Sequence, residues 1–425
     1  MSIDPPACIA ILGAGPIGLE AALYARYLGY EVLLLERGPS ASANVLAWGH
    51  VPLFSPFGMN ASPLAVAAIQ AQDPRWQCPA ADETLTGAEF HQRFLRPLAQ
   101  TDLLADALQF DTEVLAVGRV GWLKGEGVGD PRRGDAPFRI LCRARDRSER
   151  TYEAQAVIDC TGTYGHPNWL GQGGIPAVGE QASAARIEYG LPDVLGRDQS
   201  RYAACHTLVV GAGYSAATTV VNLAKLAARQ PETRLTWLTR RTAADGPLRR
   251  IPNDRLAHRD ELALHANTLA NDASSPVTHL GGAGITAVDL DPATDQWTVQ
   301  LSGGDRSSIQ VDRIVANVGY RPDNQLYSEL QVHECYASGG PIKLAAQLLA
   351  QSSADAAADC LDQTSCGPES LQNPEPNFYI LGSKSYGRRS QFLLAIGLEQ
   401  IRELFTLIAG REDLNLYAAM PQRST

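Results

Sequence analysis

Two glycine clusters carry the most specific chemistry in this chain. Gly13-x-Gly15-x-x-Gly18 follows a short apolar run, Cys8 to Leu12. In such a cluster the first glycine permits a tight strand-to-helix turn. The second lets a pyrophosphate approach the backbone, and the third lets helix and strand pack closely. The helix opening at Pro16 and Ile17 then offers unpaired N–H groups and a partial positive charge to a phosphate. Glu36, at the end of the next apolar run and followed by Arg37, supplies a carboxylate that can accept from both hydroxyls of a ribose. A cluster of this kind near the N-terminus, in strand–helix–strand context, favours FAD over NAD.

The second cluster, Gly211-x-Gly213-x-x-Ala216 with Tyr214 and Ser215 between, is the alanine variant of the same pattern. Its following strand ends not in an acid but in Arg240 and Arg241. A carboxylate there would repel a 2′-phosphate, whereas a guanidinium binds one bidentately. The expectation is NADPH rather than NADH. Arg249 and Arg250 are further cations nearby and read as solvated. A competing reading, in which Gly213–Ala217 is a degenerate nucleophile elbow served by His258 or His265, leaves the first cluster unexplained.

These residues need strands and helices to position them. Cys8–Leu12 and Glu31–Glu36 read as strands around a helix, Leu19–Leu28. Thr207–Val210 and Leu235–Thr239 read as strands around a helix, Ala217–Arg229. Buried strands joined by a crossover helix are parallel. Thr86–Gln109 reads as helical and Gly118–Asp135 as a loop. Phe138–Val157 has hairpin alternation, and Ile309–Val318 reads as one strand. Residues 345–376 read as a mobile insertion, Phe378–Leu381 as a last strand and Phe392–Ala409 as a last helix. The expected fold is α/β, with two Rossmann-like three-layer dinucleotide-binding domains. Residues 1–180 and 325–425 form the FAD domain, and 190–324 form an inserted NAD(P)H domain.

Composition limits the alternatives. With 425 residues and 45% apolar content, the chain has material for more than one core. Its 36 Lys and Arg against 46 Asp and Glu give a net charge of −10, contrary to the basic field of a nucleic-acid binder. No apolar run reaches the roughly 18 residues that span a bilayer. Met1–Pro6 carries an acid and no basic residue, so neither leader nor anchor is expected. Eight scattered cysteines, none in C-x-x-C, predict a cytoplasmic protein with reduced thiols. No His or Cys cluster has metal-ligand spacing.

The two clusters together resemble the two-domain flavoproteins that include flavin-containing monooxygenases and thioredoxin reductases. Asp159-Cys160-Thr161-Gly162 and Ala316-Asn317-Val318-Gly319-Tyr320-Arg321-Pro322-Asp323 resemble the segments where the chain of such proteins crosses between domains. Ile380-Leu381-Gly382-Ser383 resembles the late strand end that contacts the flavin ribityl and pyrophosphate, with Ser383 where the family usually has Asp. Phe54–Asn60 resembles the monooxygenase segment that sets an amide, here Asn60, beside the flavin ring; the alternative for Asn60 is a turn or helix cap. Lys384 to Gln391 and Phe392 would face the reduced flavin's N1/O2 edge, or form an ordinary basic loop. Two departures stand out: the F-x-G-x-x-x-H fingerprint of monooxygenases and the Cys-x-x-Cys of thioredoxin reductases are both absent. Cys360 and Cys366 read as inert, Cys160 as a small buried residue, and His166 as a structural histidine or one facing the nicotinamide.

The resemblance implies an FAD- and NADPH-dependent enzyme. Its reading is a monooxygenase that transfers oxygen from a flavin C4a-hydroperoxide to a soft sulfur or nitrogen of a small molecule, with molecular oxygen as co-substrate. A reductase passing electrons directly to a small acceptor or a protein partner is the alternative, and a non-enzymatic flavin redox sensor is a third. A homodimer stays open, as does the identity of the substrate.

Overall fold

The computed structural model describes residues 2–242, 245–354 and 360–420. The chain divides into two compact units, Met1–His166 with Arg321–Thr425, and Pro167–Tyr320.

The first unit opens with β1 (Cys8–Leu12), α1 (Pro16–Tyr27) and β2 (Glu31–Leu35). Helix α2 (Pro63–Gln72) is capped by Ser62, whose side chain accepts from the Ala65 N–H at 2.9 Å. The stretch Thr86–Gln109, expected as one helix, is broken. Gly87–Phe90 is α-helical, His91–Leu95 a π turn and Arg96–Ala99 α-helical again. Pro97 has no N–H to continue the α ladder, so the chain widens before it. The stretch then ends as a strand, β3 (Leu108–Gln109), beside β2. Strands β4 (Thr112–Arg119), β5 (Phe138–Ala144) and β6 (Glu149–Ala154) form an antiparallel sheet, and β7 (Ala156–Asp159) returns beside β1.

The second unit repeats the plan: β8 (His206–Val210), α3 (Tyr214–Arg229), β9 (Arg234–Thr239), α4 (Ala257–Asn271) and β10 (Val277–Gly281). Strands β11 (Gly284–Asp291), β12 (Gln296–Ser302) and β13 (Ser308–Val311) are antiparallel, and β14 (Arg313–Ala316) returns beside β8. Ile309–Val318, expected as one strand, therefore belongs to two sheets. Asp312 makes the break: its N–H donates to His206 O at 2.8 Å and its carboxylate accepts the His206 N–H at 2.7 Å. Residues 167–180, expected with the first unit, lie in the second, where Gly171 bridges Ile285 and Val178 bridges Ala287.

The chain re-enters the first unit with α5 (Ile342–Ala354), β15 (Phe378–Ile380) and α6 (Leu394–Ala409). The expected insertion 345–376 is thus partly helix. Leu344 and Leu348 are buried against Tyr386 and Ile396, and Ser370 and Leu371 are buried as well. Residues 355–359 and the side chain of Cys360 lie outside the described residues.

Each unit has three layers. In the first, the parallel sheet runs β15-β7-β1-β2-β3. Ile9 and Ile11 point to the side of α1 and α6, while Ala10 and Leu12 point to Phe138, Ile140 and Cys142 of the antiparallel sheet. In the second, the parallel sheet runs β10-β9-β8-β14. Val209 packs with α3 and α4, and Leu208 and Val210 with Trp297 and Val299. The period-2 alternation of a strand buried on both faces explains the unbroken apolar runs in the sequence.

Candidate functional site

The first glycine turn sits where β1 gives way to α1. Gly13 has φ +91°, and a Cβ there would stand 2.9 Å from Cys160 O. A Cβ on Gly18 would stand 1.9 Å from Gly13 O, whereas one on Gly15 would meet nothing within 4 Å. Gly13 and Gly18 are therefore required by packing, and the space over Gly15 is free. Helix α1 starts at Pro16 behind Gly15 with no side-chain cap. The N–H groups of Ile17 and Gly18 meet no acceptor among the described residues, an arrangement suited to an anion. Glu36 reaches back across the turn, accepting the Ala14 N–H at 2.8 Å and the Gly38 N–H at 2.7 Å, one on each carboxylate oxygen. Both oxygens keep a lone pair. Arg37 is exposed, and its guanidinium lies against Gly165.

The late segments of this unit close on the same turn. A Cβ on Gly382 (φ +71°) would lie 3.4 Å from Ile17, and one on Gly162 (φ +68°) would lie 3.5 Å from Ser383 Oγ. Gly382 donates its N–H to the side chain of Gln400 on α6 at 3.0 Å. Gly13, Ile17, Thr161, Gly162, Gly382 and Ser383 thus form one neighbourhood at the carboxyl ends of the parallel strands, where open α/β sheets bind ligands.

The second turn has the same construction. Gly211 has φ +132°, and a Cβ there would stand 2.2 Å from Asn317 O; Gly213 has free space. Helix α3 starts at Tyr214 with no side-chain cap, and Ser215 and Ala216 N–H meet no acceptor among the described residues. Ala216 is fully buried, so its methyl replaces the third glycine as a packing contact. Arg240 and Arg241 are exposed just past β9 and make no ion pair among the described residues. Arg250 instead forks onto Asp260 at 2.8 and 2.6 Å. Gly319 and Tyr320 are tied to the segment at the start of this unit: the Asn168 N–H donates to Gly319 O at 2.9 Å, and Tyr320 Oη to Tyr189 O at 3.2 Å.

Two strand-to-helix glycine turns, in two three-layer units with the second inserted into the first, match solved structures over nearly the whole chain. One is a thioredoxin reductase from T. acidophilum, with TM-score 0.57 and 15% identity over 95% of this chain and 97% of that one. The chain has the fold of the thioredoxin reductases. A bacillithiol disulfide reductase from Bacillus cereus shares it, with TM-score 0.64 and 16% identity over 96% and 99% of the two chains. So does an ornithine N-hydroxylase from Kutzneria sp. 744, whose structure holds reduced FAD, NADP+ and L-ornithine, with TM-score 0.61 and 15% identity over 96% and 100%. No family model and no curated protein matches the chain.

Within the thioredoxin reductase fold, several side chains singled out in the sequence are engaged inside the protein. Asn60 is buried, and its amide gives both protons to Ser55 O at 3.0 Å and Pro56 O at 3.2 Å, while its oxygen accepts from Ser55 Oγ at 2.8 Å. The amide pins its own turn. Lys384, expected as a cation in a basic loop, is fully buried. Its ammonium donates to Asp159 at 2.6 Å and to Thr161 Oγ1 at 3.1 Å. Arg389 donates to Leu348 O at 2.9 Å. Gln391 is exposed, and Phe392 packs edge-on against Tyr386 with ring centroids 5.4 Å apart. Helix α6 begins after Leu393, so no serine caps it.

The fit of a flavin rests on what the first turn leaves open. The space over Gly15, the unpaired N–H groups of Ile17 and Gly18, and the carboxylate of Glu36 suit a dinucleotide. Local pattern did not single out Gln400, which takes the Gly382 N–H. Burial pushes the Cys160 thiol well above its usual range, as does the neighbouring Asp159, so this cysteine is no thiolate. His166 pairs with Asp323 at 3.2 Å. Among the described residues no three His, Cys, Asp or Glu side chains are grouped to hold a metal ion, and no helix is long and apolar enough to cross a membrane.

Proposed function

We propose that the chain is an FAD- and NADPH-dependent oxidoreductase, and that it acts as a monooxygenase on a soft sulfur or nitrogen of a small molecule. The observation that carries the cofactor assignment is the pair of open, uncapped glycine turns, one facing Glu36 and the other followed by the exposed Arg240 and Arg241. Gly13 to Gly18, Glu36, Thr161, Gly162, Gly382 and Ser383 would hold FAD. Gly211 to Ala216 with Arg240 and Arg241 would hold NADPH. When bound, these groups supply the hydride, the electron acceptor and the activation of oxygen. The protein's own share is positioning and exclusion of water: the backbone amides anchor phosphates, and the buried Lys384–Asp159 pair holds Thr161 and Gly162 in place.

The monooxygenase reading draws on the absence of a Cys-x-x-Cys and on the protonated Cys160, which leave no dithiol relay at the first turn. A second reading, a reductase handing electrons directly to a small acceptor, draws on Asn60, whose amide has no proton left for a flavin adduct or a nicotinamide. Reduction of the purified protein by NADPH without oxygen, followed by rapid mixing with oxygen, separates them. Return of the oxidised flavin spectrum in two resolved phases supports oxygenation, and return in one supports the reductase. Protein that carries no flavin overturns both.

A further inference from the structure

The second unit has a feature that the glycine turn does not use. Arg186, Arg201, Arg313, Asp295 and Trp297 line a cavity of about 230 Å³. Arg313 is the first residue of β14, and Arg201 lies just before β8. These two strands run parallel, with Arg313 opposite Thr207 and Ala316 opposite Val210. The cavity is therefore at the amino end of the sheet, and Gly211 is at the carboxyl end, about 16 Å away for a strand of this length.

We propose that this cavity is a binding site for a compact dianion, a phosphate group or a small dicarboxylate. Three guanidiniums face it against one carboxylate. Asp295 is shared by two of them: it pairs with Arg186, and with Arg313 at 3.0 Å. Among the described residues Arg201 uses one guanidinium nitrogen on Glu188, at 3.3 Å, and lies 5.7 Å from the Tyr202 ring centroid, so other donors of its fork stay available. Arg313 is braced by donating to Arg201 O at 3.3 Å and Asp312 O at 2.7 Å.

Of the other acids nearby, Glu188 lies outside the lining, with one oxygen on Arg201 at 3.3 Å and the other accepting the Gly190 N–H at 3.0 Å. Asp312 accepts from His206 and Gln296. Asp198 accepts the Asp193 N–H at 2.9 Å and pairs with Arg197. Beneath the cations lies the buried Trp297, an apolar floor that excludes water from one side. Planar guanidinium forks on a desolvated floor are the arrangement that recognises carboxylate and phosphate. Asp295 sits in the site as an internal competitor, held there by a backbone at φ +58°.

The test is calorimetric titration of the full chain with inorganic phosphate and, separately, with succinate, at constant ionic strength in chloride. Saturable binding of at least one probe at one site is expected, and the tighter probe identifies the ligand class. Arg201→Gln, a half-exposed position, should weaken binding about tenfold or more, the loss of one charge-assisted fork. Asp295→Asn should tighten it by removing the competitor. Phosphate could also bind at the glycine turns, so Arg240→Glu/Arg241→Glu is the control. Binding that survives Arg201→Gln but disappears in that control, or no saturable binding of either probe, overturns the proposal. Both outcomes leave the flavin reading untouched, because flavin content and NADPH reduction are measured apart from this titration.

Discussion

Lys384 and Asp159 meet at 2.6 Å with neither side chain exposed to solvent. The pair joins the end of β7 to the segment after β15. The Thr161 N–H and Oγ1 donate to the other Asp159 oxygen at 3.0 and 2.7 Å. Tyr327 covers the ammonium, with its ring centroid 5.1 Å away. Removing one partner leaves the other charged and buried. Lys384→Met is therefore expected to lower stability by about 3–5 kcal/mol, and Lys384→Met/Asp159→Asn by clearly less. Chemical denaturation of the single and double variants checks this. Equal losses in both would mean that the pair's charge plays no part.

The glycines of the first turn should separate folding from binding. Gly18→Ala drives a methyl into Gly13 O and is expected to cost about 1–3 kcal/mol of stability. Gly15→Ala meets no protein atom, so its melting temperature should stay near that of the parent while its flavin content falls. Retained flavin in Gly15→Ala would argue that the pyrophosphate does not lie over this residue.

Arg240 and Arg241 should set the choice of nicotinamide. On the proposed reading, Arg240→Glu is expected to raise the KM for NADPH about tenfold or more, about 1.4 kcal/mol, and to change that for NADH much less. Steady-state kinetics with the two dinucleotides decide it. Parallel changes would assign the arginine to solvent.

Glu20 gives the protein a pH dependence unrelated to catalysis. It lies on α1, buried near Ser62, Tyr417 and Tyr24, and burial pushes its carboxyl up to about 7, against the polar Ser62 and Tyr417 side chains that lower it. The folded state therefore binds a proton more tightly than the unfolded state. This stabilising term is present in full below the ordinary value of 4.5 and is lost as pH rises through about 7. The loss is roughly 3 kcal/mol. Glu20→Gln should flatten the stability profile between these two values, as read by denaturation at several pH values. An unchanged slope would place the titrating group elsewhere.

A second buried charge cluster fixes a segment that reads as a loop. Glu375 accepts from Arg119 at 2.9 Å and from Arg133 at 2.9 Å, and Arg119 lies 3.6 Å from the Phe138 ring centroid. Glu375→Gln should release residues 119–135, seen as faster proteolysis there than in the parent, because two guanidiniums would lose their counter-charge inside the protein.

Local sequence determined the two strand–turn–helix–strand units. Strand length, glycine spacing and apolar runs act within about thirty residues and constrain the backbone directly. The three layers follow from the same runs, since a strand that is apolar on both faces must be covered on both. What the sequence left open was the partner of each polar side chain. Lys384 looked like a surface cation because its neighbours in sequence are basic, yet its carboxylate comes from a strand 225 residues away. Arg133 and Glu375 are 242 residues apart. The local reading of Asn60 allowed a ligand role or a turn, and the fold closed its amide onto Ser55 and Pro56. Desolvation makes an unpaired buried charge or amide costly, so its fate depends on which distant group the fold delivers, and tertiary structure alone makes that delivery.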